Sequence, residues 1–120
     1  LDIADAMTLP GFTDNPYAYM AKASVFALSS LWEGSPNVLT EAMALGTPVV
    51  ATDCPSGPRE VLQNGQFGPL VPVGDAAALS QAIIEMLDSP PDSDRLRAAV
   101  SEYDLEHSVS GYLRALNLAV

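Results

Sequence analysis

The sequence predicts an α/β fold in which a parallel sheet is flanked by helices. Short apolar runs at residues 25–30, 48–52 and 69–73 are typical of strands buried on both faces. Segments with apolar residues at helical spacing alternate with these runs, and loops rich in proline and glycine separate them. Strand, helix and strand in succession indicate parallel crossover units, which are right-handed almost without exception.

The composition fits one globular domain. The chain has 120 residues, of which 48% are hydrophobic and 17% are charged. This length suffices for one core and not for two. Such a hydrophobic fraction excludes an intrinsically disordered chain.

The charge excludes two classes of partner. There are 15 acidic and 5 basic residues, giving a net charge of -10. Nucleic acids and anionic lipid surfaces both require clustered Lys and Arg, so neither is an expected partner of this segment. No apolar run is long enough to span a membrane. A single cysteine, Cys54, excludes an internal disulfide and fits a reducing compartment.

The first third contains a helix end, a short strand, a helix and a longer strand, at residues 1–6, Met7–Leu9, Pro16–Ala23 and Val25–Ser30. Thr13 or Asp14 can cap the helix, and Pro16 stands in its first turn. Because the chain starts with Leu1 and with what resembles a helix end, we expect it to be part of a longer protein.

The middle third predicts a loop over Leu31–Ser35 and then a helix. Ser35 is the expected N-cap and Pro36 the first helical residue. The apolar stripe of this helix consists of Val38, Leu39, Ala42, Met43 and Leu45. Gly46 ends the helix, and the next strand covers Pro48–Thr52.

The last part continues the alternation. After the loop Asp53–Gly57, it predicts a short helix at Pro58–Leu62, a strand at Pro69–Val73, and helices at 76–87, Ser93–Glu102 and Ser108–Ala119. Asp75 is the expected cap of the helix that ends near Leu87. We expect Leu79, Ile83, Ile84 and Leu87 to form its inward face.

The loops at the carboxyl ends of the strands are the expected site, because ligands of open α/β sheets bind there. The loop Leu31–Ser35 runs directly into a helix N-terminus, where free backbone N–H groups and the helix dipole favour an anion. Gly34 has no Cβ, so a phosphate or sugar can approach its backbone closely.

Two carboxylates bracket this helix start. Glu33 precedes it, and Glu41 lies off the apolar stripe, where it can face the cleft. Carboxylates beside an anion site suit the hydroxyls of a neutral polyol, such as a sugar ring. A ligand with phosphate between two hydroxyl-bearing rings is a nucleotide-sugar, so this is the ligand class that the pattern indicates. Spacing alone leaves an alternative open, in which Glu41 is an ordinary solvated helix residue.

The run Glu33–Asp53, EGSPNVLTEAMALGTPVVATD, resembles the signature of retaining GT-B glycosyltransferases of family 4, the group 1 type. Glu33 and Glu41 match the family's Glu-x7-Glu motif. LPGFTDNPYAYMAKASVFALSS resembles the family's preceding elements, and DCPSGPREVL and NGQFGPLVPVGDAAAL resemble those that follow. The segment DCPSGPRE most resembles the corresponding segment of bacterial polysaccharide and lipopolysaccharide-core transferases.

The resemblance implies a partial, Rossmann-like C-terminal GT-B domain that binds the donor, over residues 1–106, followed by a C-terminal helix over 107–120. It implies that Glu33, the catalytic position, contacts hydroxyls of the donor sugar and that Glu41 binds the ribose hydroxyls. Backbone amides that hold the sugar and diphosphate fall on Gly34, Ser35, Asn37, Val38 and Leu39. Gly11 and Phe12 match a loop near the base.

The implied reaction transfers a glycosyl group from a nucleotide-sugar, such as a UDP-sugar, to an acceptor hydroxyl with retention of configuration. It implies no metal and no cofactor, because the helix dipole and basic side chains neutralise the leaving diphosphate. The expected location is cytoplasmic, with the inner face of the membrane as an open alternative for the full enzyme.

The resemblance also implies that an acceptor domain and the first donor-domain strands are missing. We therefore expect three ordered parallel strands, with Met7–Leu9 displaced or unusually paired. An exposed sheet edge would favour self-association or a partner. Alone, the chain should bind donor weakly and catalyse nothing. The alternatives are a non-catalytic assembly module and a nucleotide-sugar epimerase, which shares the GT-B architecture.

Four further residues have simpler interpretations. For Arg59 we expect a surface ion pair with Glu60 or Asp53, with an approach to the donor as the alternative. We expect His107 to be exposed or to take part in capping, Trp32 to be packed, and Cys54 to be structural.

Overall fold

A computed structural model describes residues 3–118 of the chain. Three strands, β1 (Phe26–Leu28), β2 (Val49–Thr52) and β3 (Leu70–Val71), form one parallel sheet in the order β1-β2-β3. Together with its flanking helices, this sheet confirms the predicted α/β, Rossmann-like class. The outermost residues of the predicted first and last helices, Leu1, Asp2 and Ala119, and the terminal Val120, lie outside the described residues.

Six α-helices accompany the sheet in the described chain: α1 (Pro16–Met20), α2 (Asn37–Ala44), α3 (Pro58–Val61), α4 (Ala76–Asp88), α5 (Ser93–Ala99) and α6 (Leu105–Ala115). Short 3-10 turns occur at Ala4–Ala6 and Ser101–Tyr103. No helix within residues 3–118 is both long and apolar enough to span a membrane.

The first part of the chain differs from the prediction in two ways. Residues 7–9 form no strand, so only the displaced alternative agrees with the structure. The cap of α1 is Asn15, whose side chain accepts a hydrogen bond from the N–H of Ala18, and neither Thr13 nor Asp14. Asn15 directly precedes Pro16, so its side chain is the one within reach of the open N–H groups.

The strands place side chains alternately on two faces. In β2, Val49 and Ala51 belong to the core cluster that α2, α3 and α5 cover, whereas Val50 belongs to the cluster under α4. All four residues of β2 are buried, as expected for a central strand. The sheet therefore lies between two helical layers, with β2 as its fully buried central strand.

Helix α4 is capped by Asp75, as predicted, through a 2.9 Å hydrogen bond from the Ala78 N–H. The prediction of its inward face is only half right, because Ile84 and Leu87 are 48% and 50% exposed. The residues that pack on the sheet are Ala78, Leu79, Ala82, Ile83 and Met86. Two of the five residues on this stripe are alanines, Ala78 and Ala82.

The carboxyl end of α2 is anchored to α5. The Ser93 hydroxyl donates a 2.9 Å hydrogen bond to the carbonyl of Gly46, and the Arg97 guanidinium donates to the carbonyl of Leu45 at 3.2 Å. These bonds satisfy carbonyls that the end of a helix leaves open. Helix α2 is therefore fixed at the end that lies away from the loop with Glu33.

Apolar surface remains exposed at two places. Strand β1 pairs with β2 alone among the described residues, so its other edge is open. Helix α6 buries none of its residues, and Leu105, Tyr112 and Leu116 are each more than 60% exposed. The open edge of β1 agrees with the expectation of an exposed sheet edge.

Candidate functional site

The loops that follow β1 and β2 meet at the carboxyl edge of the sheet. The buried hydroxyl of Thr52, at the end of β2, donates a 2.6 Å hydrogen bond to the carbonyl of Ser30. Gly57 in the second loop has a φ of +71°, and a Cβ there would overlap Cδ of Pro36 and lie 3.0 Å from the carbonyl of Gly34. The second loop is thus packed directly on the backbone of the first.

Glu33 lies in the first loop and is partly buried. Its Oε1 accepts a hydrogen bond of 2.6 Å from the Ser30 hydroxyl. The next residue, Gly34, is exposed, and a Cβ on it would meet nothing within 4 Å. Open space therefore lies in front of the backbone immediately after the carboxylate.

Glu41 stands on α2, off the buried stripe of Leu39, Ala42 and Met43. It is partly buried, and its Oε1 accepts a hydrogen bond of 3.3 Å from the hydroxyl of Tyr17 in α1. Each of the two motif glutamates is thus held at one oxygen by a hydroxyl, which comes from the same loop for Glu33 and from α1 for Glu41.

Helix α2 begins at Asn37 without a side-chain cap. The prediction that Ser35 is the N-cap is wrong, because its hydroxyl donates to Oδ1 of Asn37 at 3.4 Å and not to the backbone. The N–H groups of Gly34, Ser35 and Val38 have no acceptor among residues 3–118. The amino end of α2 therefore presents open donors next to Glu33, which is an arrangement that favours an anion.

Other predicted donor-binding residues are less available. The N–H groups of Asn37 and Leu39 already donate to the carbonyls of Ser35 and Pro36, both at 2.9 Å. Gly11 and Phe12 lie in the irregular segment before α1, where Phe12 is 92% exposed.

One ion pair lies beside the second loop. Arg59, in α3, forms an ion pair with Asp53, which confirms one of the two expected pairings. Cys54 is buried, in agreement with a structural role. Trp32 is 64% exposed, so the expectation that it is packed is wrong. It lies in the loop beside Glu33, where no described element covers it.

Three hydroxyl residues support the glutamates, directly or through a neighbour, and none of them is predicted from the sequence. Ser30, Thr52 and Tyr17 lie 3, 19 and 16 positions from Glu33, and only the fold brings Thr52 and Tyr17 to the site. Ser30 could have been identified from the sequence, because it is a hydroxyl residue three positions before Glu33.

Two of the cavities formed by residues 3–118 lie at opposite edges of the sheet. One of about 170 Å³ lies at the carboxyl edge between the ends of β1 and β2 and the start of α4, and Ser29, Leu31, Thr52 and Asp75 are among its lining residues. A larger groove of about 590 Å³ is lined by Gln63, Phe67, Arg95 and Tyr103. It lies where the chain enters β3, at the amino edge and away from both glutamates.

Comparison with known proteins gives a consistent result. The family model described as "Glycosyl transferases group 1" matches residues 1–89. An N-acetylgalactosamine-N,N'-diacetylbacillosaminyl-diphospho-undecaprenol 4-alpha-N-acetylgalactosaminyltransferase of Campylobacter jejuni is 41% identical over 99 residues, covering 82% of this chain and 26% of that protein. A phosphatidyl-myo-inositol mannosyltransferase of Mycobacterium leprae is 43% identical over 86 residues, covering 71% of this chain and 23% of that protein.

The lipopolysaccharide core biosynthesis glycosyltransferase LpsE of Rhizobium meliloti is 30% identical over 121 residues, covering 97% of this chain and 35% of that protein. The chain thus spans about a quarter to a third of the length of these curated relatives. The family model covers well over half of the chain, including both glutamates and the open end of α2. On this evidence the chain belongs to the group 1 glycosyltransferases.

Proposed function

We propose that this chain is the donor-binding part of a glycosyltransferase that moves a sugar from a nucleotide-sugar to an acceptor hydroxyl with retention of configuration. The observation that carries the proposal is the amino end of α2. Its open N–H groups lie between two carboxylates, Glu33 and Glu41, which are each held in place by a hydroxyl. Open donors suit a diphosphate, and the flanking carboxylates suit the hydroxyls of the rings on either side of it.

The residue roles are those that the family resemblance implies. Glu33 would accept hydrogen bonds from the donor sugar, and Glu41 would accept them from the ribose. The backbone N–H groups of Gly34, Ser35 and Val38 would donate to the diphosphate, since they have no acceptor among residues 3–118. The N–H groups of Asn37 and Leu39 could join only if their present bonds to loop carbonyls break.

The leaving group would be stabilised by dipoles of the protein. As the bond to the sugar breaks, negative charge develops on the diphosphate, and the partial positive charge at the amino end of α2 lies beside it. Arg59 is paired with Asp53, so it is a poor source of further positive charge. Basic side chains from outside this chain would supply the rest.

The acceptor is proposed from the relatives. The names of two of them refer to a diphospho-undecaprenol and a phosphatidyl-myo-inositol, and a third concerns the lipopolysaccharide core. We propose that the full enzyme acts in bacterial polysaccharide or lipopolysaccharide synthesis. Acceptors of this kind would place the full enzyme at the inner face of the membrane, and a single buried cysteine fits the reducing cytoplasm.

The full enzyme would contain a second, acceptor-binding domain of the GT-B type. The chain spans only a fraction of its relatives, and its sheet has an open edge at β1. We propose that the chain alone binds donor weakly and transfers no sugar. Sustained transfer from a UDP-sugar by the 120-residue chain would overturn this part of the proposal.

Isothermal titration with UDP, GDP and their sugar derivatives tests the donor-binding function. We expect Glu41→Ala to weaken binding of the preferred nucleotide by about tenfold, because hydrogen bonds to a charged group contribute about 1.5–3 kcal/mol. Glu106→Gln, at an exposed position of α6, is the matched control and should bind as the wild type does. Equal affinities of the wild type and Glu41→Ala would show that the site is assigned wrongly.

A non-catalytic assembly module is the second candidate, favoured by the open edge of β1 and the exposed apolar residues of α6. An edge strand and an uncovered apolar face both promote association between copies. Sedimentation velocity would show a concentration-dependent dimer in that case. A chain that stays monomeric over a 100-fold range of protein concentration and binds nucleotide would favour the glycosyltransferase function alone.

A further inference from the structure

We propose that Ser30 is a positioning residue for Glu33, and that Thr52 in turn positions Ser30. The Glu33 carboxylate, which would accept hydrogen bonds from the hydroxyls of the nucleotide-sugar, is thereby oriented before that ligand binds. This inference rests on the proposed function, because it assumes that Glu33 contacts the sugar. It adds two residues to which nothing in the family motif points.

The first step is the hydrogen bond between Ser30 and Glu33. Its length of 2.6 Å lies within the range of short hydroxyl–carboxylate bonds, which are stronger than neutral ones. The serine hydroxyl has one proton, and this proton is directed to Oε1. The other oxygen of Glu33 has no hydrogen-bond partner among residues 3–118 and is left to accept from a ligand.

The second step is the attachment of Ser30 to the sheet. The carbonyl of Ser30 accepts a 2.6 Å hydrogen bond from Thr52, a residue that is only 4% exposed. Thr52 ends β2, the fully buried central strand. The loop with Glu33 is therefore attached to the fully buried central strand, and a buried hydroxyl on a packed strand is an effective support for a recognition group.

The third step is a contrast with Glu41. Its partner is the half-exposed Tyr17, and their hydrogen bond of 3.3 Å is longer than ordinary hydroxyl bonds. Glu33 is thus oriented more firmly than Glu41. Since Glu33 is the residue assigned to the sugar, loss of the Ser30 hydroxyl should weaken recognition of the sugar and leave recognition of the nucleotide unchanged.

The test compares two affinities of the full chain, measured by 1H–15N NMR titration. One is for UDP, and the other is for the most tightly bound of UDP-glucose, UDP-galactose and UDP-N-acetylglucosamine. Ser30→Ala should weaken binding of the nucleotide-sugar by about three- to tenfold, the value of one hydrogen bond, with the affinity for UDP unchanged. Ser30→Thr keeps the hydroxyl and should restore most of the loss.

Three further variants complete the test. Ser29→Ala removes a neighbouring exposed hydroxyl that makes no hydrogen bond within residues 3–118, and it should bind as the wild type does. Thr52→Val should weaken binding of the nucleotide-sugar as Ser30→Ala does, and Thr52→Ser should not. In a Glu33→Ala background, Ser30→Ala should have no additional effect, because the serine acts through the glutamate.

The outcomes separate the inference from the proposed function. If Ser30→Ala weakens UDP and UDP-sugar equally, the serine is merely structural and the inference is wrong. The inference also fails, with the proposed function intact, if Glu33→Ala weakens the sugar's contribution and Ser30→Ala does not. If the wild type binds no probe, or if no sugar strengthens binding relative to UDP, the donor-sugar contact fails and the inference fails with it.

Discussion

The backbone of Gly57 lies against Pro36 so closely that a Cβ atom on residue 57 would overlap the Cδ atom of the proline. The same Cβ would lie 3.0 Å from the carbonyl oxygen of Gly34. The loop after β2 therefore supports the loop that carries Glu33, and residue 57 must be glycine for both its space and its φ of +71°.

Gly57→Ala should therefore destabilise the domain by about 2 kcal/mol or more, since strain from a positive φ and overpacking both oppose it. Chemical denaturation followed by circular dichroism measures the change. The matched control is Gly34→Ala, which meets nothing within 4 Å and should change stability by less than about 0.5 kcal/mol. Equal stability of Gly57→Ala and the wild type would show that the two loops are not in contact.

Gly34→Ala should nevertheless impair binding. A methyl group at this position would occupy the open space in front of the unpaired N–H groups, where the diphosphate is proposed to lie. We expect its affinity for UDP to fall at least about tenfold while its melting temperature stays unchanged. Isothermal titration with UDP measures this affinity. An unchanged affinity in Gly34→Ala would show that the phosphates bind elsewhere.

Helix α6 should depend on the ionisation of Asp104. The backbone N–H of His107, and then its side chain, donate to this carboxylate and lower the pKa of Asp104 below its ordinary value near 3.8. A lowered pKa in the folded state stabilises the helix fully above the ordinary pKa, and this stabilisation is lost as the pH falls through the lowered value. The helicity of α6 should therefore stay constant from neutral pH to about pH 4 and decrease only below it.

Two variants separate the charge of Asp104 from its role as a cap. Asp104→Asn keeps a good N-cap and should remove the acid-dependent loss of α6, whereas Asp104→Ala should fray the helix at neutral pH. Residue-specific NMR shifts of Leu105–Ala115 report the helicity. An acid transition that persists in Asp104→Asn would assign the pH dependence to another group.

Asp75→Ala should destabilise the domain by about 1 kcal/mol, because the N–H of Ala78 would lose its cap at the start of α4. Thermal unfolding measures this loss. Asp88→Ala, at the other end of the same helix and exposed, is the control and should be nearly neutral. An equally large loss of stability in Asp88→Ala would indicate that removal of a negative charge, and not loss of the cap, destabilises the domain.

Much of the sheet was predictable because its strands are short apolar runs between strong breakers. Val49–Thr52 follows Pro48, and the strand is buried on both faces as the run of Val and Ala predicts. Residues 7–9 were the exception. A short segment such as Met7-Thr8-Leu9 becomes a strand only if a neighbouring strand is available to pair with it, and local sequence contains no information on that neighbour.

The helical caps and faces were harder to predict, because several residues compete locally. Asn15, Asp14 and Thr13 are all good caps, and the structure uses the one that directly precedes Pro16. In α4, the prediction favoured large side chains over alanines, whereas close packing on the sheet selects Ala78 and Ala82. The exposure of Ile84 and Leu87 follows from that choice.

At the candidate site, the motif identified Glu33 and Glu41 but not their partners. Their spacing is a local property, which the sequence contains directly. The contacts from Thr52 and Tyr17 depend on how two loops and two helices pack. The absence of a side-chain cap on α2 was also not predictable, since Ser35 is a good cap whose hydroxyl instead pairs with Asn37.

The most direct test of the donor site is a map of amide chemical-shift changes when the 15N-labelled chain is titrated with UDP. We predict that the largest changes occur at Gly34, Ser35 and Val38, next to the diphosphate, and at Glu41, and that they shrink together in Glu41→Ala. Changes concentrated at Gln63, Phe67 and Arg95, around the groove at the opposite edge of the sheet, would contradict it.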